Sequence, residues 1–200
     1  MLLTLKGDDA VGVEEDVPGG RFAIVRIVGI TGVRITDSDT YPIGYSDASY
    51  ANNPDDRKST SGNVFFYANG VISFQSQKQS VIALSTMEAE YMALSETAKE
   101  AIFLTKLLRS LKIDISRPIV INTDSQSALD HVKNNVMHSR TKHIDVRHHF
   151  IRDACSSNHV SLQHVPAASQ IADVLTKPLG PTKHAEALKM LKQISFTTAN

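Results

Sequence analysis

Apolar and polar positions change period several times along the chain, and each change marks an element. Ile43, Tyr45, Asp47 and Ser49 alternate with Gly44, Ser46 and Ala48, the two-residue period of a strand. The runs 63–68 and 71–76 are strand-like and flank Asn69-Gly70, the strongest short-range sign of a two-residue hairpin. Before them, Asn52 to Gly62 is a polar loop dense in turn formers. From Ser85 to Leu111 the period becomes helical, with Met87, Tyr91, Leu94, Ala98, Ala101, Ile102 and Leu108 on one stripe. Residues 118–123 form a continuous apolar run, the mark of a strand buried on both faces, and Asp124 then opens a second helix. Residues 143–154 are helical, with Ile144, Ile151 and Ala154 on one side, and 159–165 alternate as a strand that Pro166 ends. Ser169 is expected to cap a last turn over 170–173, and 182–194 form a terminal amphipathic helix. In residues 1–40, only 21–28 and 32–36 suggest strands. From residue 41 the order is βββ–α–β–α–α–β–α, an α/β chain whose helices pack on a mixed sheet.

Composition narrows this picture only slightly. Two hundred residues suit one domain, or one with an appendage. The single cysteine, Cys155, excludes an internal disulfide framework and a cysteine-based zinc site, and reads as a reduced thiol. No stretch approaches the roughly 18 apolar residues of a membrane span. The N-terminus is too short in apolar residues for a signal peptide, so an intracellular protein is expected. The balanced charge hides an asymmetry. Residues 1–40 carry four basic and seven acidic side chains, the remainder seventeen and fourteen. The basic part is 133–152, where Arg140, Lys142 and Arg147 either contact a phosphate backbone or form a solvated face.

Candidate chemistry lies in the acids. A carboxylate in the middle of a short apolar strand costs several kcal/mol unless it is paired or bound to a cation, so Asp47 is either a strand-end cap or a metal ligand. In the long helix, Ser85 and Glu88 read as a capping box, which gives Glu88 a structural task. Glu90 falls within the apolar arc and Glu88 outside it. Asp124, at the end of the buried strand, is either a helix N-cap or catalytic. Asp173 sits in the late turn. The four acids have no evident basic partner in their own motifs, and such a set fits two hard divalent cations held by carboxylate oxygens.

The chain resembles the ribonuclease H domain of the Pol polyprotein of copia-type LTR retrotransposons. The resemblance covers about residues 41–180. It rests on Gly44-Tyr-Ser-Asp-Ala48, Asp56-Arg-Lys-Ser-Thr-Ser-Gly62, the segment Ala83 to Leu94, Thr123-Asp-Ser-Gln-Ser-Ala128, the segment Ser139 to Arg152, and the segment Gln170 to Leu179. It implies a ribonuclease H-like fold, a five-stranded mixed sheet with the Asp47 strand at its centre and helices on its flanks. Residues 1–40 would be a poorly matched extension, and 181–200 a terminal helix and tail.

The same resemblance implies an endonuclease that hydrolyses the RNA strand of RNA–DNA hybrids with two Mg²⁺ ions, Mn²⁺ being a substitute. The family's carboxylates fall on Asp47, Glu90, Asp124 and Asp173. Ser85, Thr86 and Gln126 are the expected minor-groove contacts, and Arg140, Lys142 and Arg147 the expected phosphate contacts. The implied partner is the reverse transcriptase part of the same polyprotein, in a cytoplasmic particle or the nucleus. The sequence also departs from the pattern. Ala168 stands where many ribonucleases H have a loop histidine, and His164, before the proline, reads instead as a packed strand residue. Ser49-Tyr50 stands for a usual Asp-Trp, and Asn135 for a usual Pro. A catalytically decayed module that only binds nucleic acid or a polymerase is the competing reading; loss of an acid would mark it, and all four are present.

Overall fold

A computed structural model describes residues 10–13, 25–28, 41–67, 70–133 and 142–191. Two short strands, β1 (Ala10–Val13) and β2 (Val25–Val28), pair antiparallel. The first expected N-terminal strand, 21–28, overlaps β2, and the second, 32–36, lies outside the described residues.

The main sheet contains β3 (Ile43–Ser49), β4 (Thr60–Tyr67), β5 (Gly70–Lys78), β6 (Ile119–Thr123) and β7 (Val160–His164), in the spatial order β5-β4-β3-β6-β7. β3 is central, antiparallel to β4 and parallel to β6, and β6 is parallel to β7. The sheet is mixed and five-stranded, as expected. The hairpin is longer than its hydrophobic run suggests. Thr60, Ser61 and Gly62 belong to the expected loop, yet they pair with Ser49, Ala48 and Asp47, so backbone pairing along β3 recruits polar residues into the strand.

Five helices complete the described fold: α1 (Thr86–Ser110), α2 (Gln126–Lys133), α3 (Lys142–Ser156), α4 (Asp173–Thr176) and α5 (Pro181–Leu191). The α1 stripe meets the sheet through Tyr91, Leu94, Ala98, Ala101 and Leu104, which share a core with Phe65, Ile119, Ile121, Ile151 and Val160. The parallel order of β3, β6 and β7 aligns their C-terminal ends. Tyr45 pairs with Asn122, and the same register carried two residues on brings Asp124 level with Asp47.

The late turn differs from its expected form. Pro166 starts a 3₁₀ turn over Ala167–Ser169, closed by Ser169 N–H donating to Pro166 O at 2.8 Å, so Ser169 does not cap a helix. Gln170 is extended and buried; its Nε2 donates to Ser46 O at 2.9 Å, and its Oε1 accepts from Ala172 N–H. That amide fastens the segment to β3 and delays the helix, which begins at Asp173 rather than ending there.

Candidate metal centre

Asp47 lies in β3 with only 1 % of its surface exposed, which removes the strand-end cap reading. Opposite it in the register stands Gly62, and the missing side chain there has a consequence. A Cβ on Gly62 would lie 2.7 Å from Thr176 Cγ2 and 2.9 Å from Leu175 Cβ, so glycine is what admits α4 over the strand pair. From α4, the Thr176 hydroxyl donates to Asp47 Oδ2. Burial pushes the Asp47 carboxyl up to about 6, against the Thr176 hydrogen bond and the Lys177 charge, which pull it down.

The start of α1 separates its two glutamates by partner rather than by burial. Ser85 Oγ accepts from Glu88 N–H at 3.1 Å, and Glu88 Oε2 accepts from Leu84 N–H at 2.8 Å. The capping role is therefore present, reaching one residue before the cap. Glu88 is nevertheless buried, although it lies outside the helical arc. Glu90 is half-buried, and its Oε2 is inaccessible without a hydrogen-bond partner. Burial, then the charges of Asp47 and Asp124, push the Glu90 carboxyl up to about 9, while a hydrogen bond from the Ala48 backbone and the Lys177 charge pull it down. The environment of Glu90 therefore favours its neutral form in the absence of a cation.

Asp124 follows β6, where capping of α2 is one of its two readings. Ser125, not Asp124, does that work: its Oγ accepts from Ala128 N–H at 3.3 Å, and its carbonyl from Leu129 N–H at 3.2 Å. Asp124 is left for other chemistry. Asp173 is buried at the first turn of α4. Here one expectation is corrected: Asp173 does have a basic partner in its own motif. Lys177 Nζ lies 2.8 Å from Asp173 Oδ1 and 3.9 Å from Asp47 Oδ1, because residues four apart meet across a helical turn.

Asp47, Asp124 and Asp173 thus come from a strand, a strand end and a short helix, with ligand oxygens all within 4.8 Å of one another. Glu90 lies outside that tight group, though close enough to Asp47 and Asp124 for their charges to act on it. The donor set is purely carboxylate, with Asp47 and Asp173 buried and Asp124 and Glu90 half-buried; it is supplied with one ammonium and includes the orphaned Glu90 Oε2. Hard divalent cations such as Mg²⁺ fit it.

Similarity to known proteins runs in the same direction. No protein-family model matches the chain. It is 43 % identical over 151 residues to the retrovirus-related Pol polyprotein from transposon TNT 1-94 of Nicotiana tabacum, covering 74 % of this chain and 11 % of the relative. The chain is a relative of copia-type retrotransposon Pol polyproteins. It spans about a tenth of the length of the curated relatives it matches. The fold is that of ribonuclease H: the N-terminal RNase H domain of a Mycobacterium tuberculosis protein superposes with a TM-score of 0.51 at 17 % identity, covering 74 % of this chain and 96 % of that one. LC11-RNase H1, solved in complex with an RNA/DNA hybrid, superposes with a TM-score of 0.50 at 15 % identity, covering 68 % and 94 %.

Around these acids, the expected substrate contacts divide. Ser85 and Thr86 are exposed at the start of α1. Gln126 is exposed, but its Nε2 donates to Asp130 Oδ1 at 2.8 Å, an interaction that a groove contact would have to replace. Arg147 is committed to α1: its Nη1 donates to Ser95 Oγ at 2.6 Å and Glu96 Oε1 at 2.7 Å. Arg140 lies outside the described residues, as does the side chain of Lys142 at the start of α3. His164 is exposed rather than packed; it pairs with Thr123 at the C-terminal end of β7. Ala168 is exposed in the 3₁₀ turn. Sequence reasoning missed Thr176, Lys177 and Ser125. The four-residue spacing of Asp173 and Lys177 was a visible signal for one of them.

Proposed function

We propose that the chain is the ribonuclease H part of a copia-type Pol polyprotein and hydrolyses the RNA strand of RNA–DNA hybrids. The observation that carries this reading is the convergence of Asp47, Asp124 and Asp173 from separate elements to within 4.8 Å. In the proposed site these three and Glu90 hold two divalent cations, Mg²⁺ by the hardness of the donors. Bound cations would supply an activated water and stabilisation of the leaving oxygen in phosphodiester hydrolysis.

The chain's own residues do the rest. Thr176 holds one Asp47 oxygen by hydrogen bond, which orients that carboxylate. Burial of Asp47 and Asp173 keeps bulk water from the inner side of the site and strengthens each charge interaction there. Ser85, Thr86 and Gln126 face the hybrid's minor groove in this reading, where 2′-hydroxyls identify the RNA strand, while Arg140 and Lys142 meet phosphates. Arg147 would act indirectly, by fixing α3 to α1 through Glu96. Similarity to Pol polyproteins supports the reverse transcriptase part of the same polyprotein as the partner in this reading. Among the described residues no helix is long and apolar enough to cross a membrane.

The test is hydrolysis of a hybrid labelled on either strand. Cleavage of the RNA strand alone, with Mg²⁺ and not with EDTA, is the expected result. Hybrid binding without cleavage would favour the decayed module instead.

A further inference from the structure

Lys177 is the group in this site that the proposed reaction does not use. Its backbone is fixed from several sides. Its own N–H donates to Asp173 O at 3.1 Å, Asn52 Nδ2 donates to Thr176 O at 3.2 Å, and Ser76 Oγ donates to Leu175 O at 2.6 Å. From this anchored position a flexible four-carbon stem delivers the ammonium to Asp173 and Asp47. The side chain keeps 38 % of its surface exposed, so water lies within reach of the same stem.

Three carboxylates within 4.8 Å of one another repel strongly unless a cation lies among them. In the metal-free protein, among the described residues, Lys177 is the cation paired with them. A divalent ion that takes the same oxygens has to displace it. We propose that Lys177 is a built-in, exchangeable counter-ion: it bridges Asp173 and Asp47 when no metal is bound and competes with divalent cations for them, and so sets the concentration at which the site loads. The inference rests on the reading of these acids as a cation site. It assigns Lys177 a positioning and tuning task, not contact with the reacting phosphate.

The test is Mn²⁺ binding to the full chain, followed by the electron paramagnetic resonance signal of free Mn²⁺, for wild type, K177Q and K177R. Loss of one positive charge a few ångströms from the carboxylates should tighten the Mn²⁺ Kd by about tenfold or more in K177Q. K177R keeps the charge and should stay within about threefold of wild type. Melting curves supply a second readout. In EDTA, K177Q should melt below wild type, and added Mn²⁺ should raise its Tm further than it raises that of wild type. A K177Q protein that folds only with Mn²⁺ supports the proposal, since the metal then replaces the missing cation. One that fails to fold with or without Mn²⁺ overturns it, because Lys177 would then be holding the fold. Equal or weaker Mn²⁺ binding in a folded K177Q also overturns it and leaves the metal site standing. No Mn²⁺ binding by wild type overturns both the counter-ion and the site.

Discussion

Replacing Asp47 by asparagine should make the metal-free protein more stable at neutral pH, although it removes a residue proposed as essential. A carboxyl moved from 3.8 to about 6 makes its ionised form about 3 kcal/mol costlier in the folded protein than in the unfolded chain. The sign follows from proton binding. Between pH 4 and 6 the folded state holds a proton that the unfolded chain has lost, so stability falls as pH rises through this window. Below pH 4 both states are protonated and the penalty is absent. The asparagine side chain would keep an oxygen for the Thr176 hydroxyl but would bury an amide whose own donors lack an evident partner, which costs about 1 kcal/mol or more. The expected gain is therefore about 1–2 kcal/mol at pH 7.5, vanishing or reversing at pH 4. Urea denaturation followed by circular dichroism in EDTA, at both pH values, measures it. In saturating Mg²⁺ the order should reverse, because only the wild type gains binding energy. A D47N protein equally or less stable than wild type at pH 7.5 in EDTA, or a difference independent of pH, would refute the reasoning.

Other expectations follow from the same geometry. Glu88→Gln retains an oxygen for Leu84 N–H and should keep hybrid cleavage within several-fold of wild type, whereas Glu90→Gln should lose about 100-fold or more; parallel kinetics of the two variants check this, and similar losses would put the helix register in error. Metal-free Glu90→Gln should be more stable than wild type at pH 7 in urea titrations, because folded wild type must take up a proton that the unfolded chain has lost, and the difference should vanish near pH 4; equal stability at pH 7 would contradict it. Gly62→Ala drives a Cβ into Thr176 and Leu175 and should cost about 1–3 kcal/mol, with Mn²⁺ affinity falling as α4 and Asp173 shift; calorimetric titration reads both. Reversing Arg140 and Lys142 to Glu should weaken hybrid binding and flatten its dependence on log salt by about two in slope, and an unchanged slope would return that stretch to a solvated face.

Much of this fold could be read from periodicity, because period-2 and period-3.6 patterns report burial directly. The β3 alternation, the two strands of the hairpin and the α1 stripe overlap observed elements, although Gly70, expected in the turn, pairs with Tyr67 as the first residue of β5. Polar residues with specific partners defeat the same reasoning. Thr60–Gly62 join β4 through backbone pairing to β3, which hydropathy does not register. Gln170 is buried because its amide finds Ser46 O, and that contact moves the start of α4 by several residues. The sequence holds Asp124 between capping and chemistry, and the geometry of Ser125 gives the cap to its neighbour. Glu90 stands out by its angle on the helix, yet its neighbour Glu88 is the more buried of the two. What separates them is the Leu84 amide on one and an orphaned oxygen on the other.

Each role proposed for the four acids depends on their holding cations, and anomalous diffraction can observe that directly. Crystals of the protein with a short RNA–DNA hybrid, grown in EDTA and transferred to Mn²⁺, are the specimen. Two anomalous peaks about 4 Å apart among Asp47, Glu90, Asp124 and Asp173 are predicted, with the Lys177 ammonium withdrawn from Asp173. Absence of any peak at these residues, with Lys177 still paired to Asp173, would contradict the account.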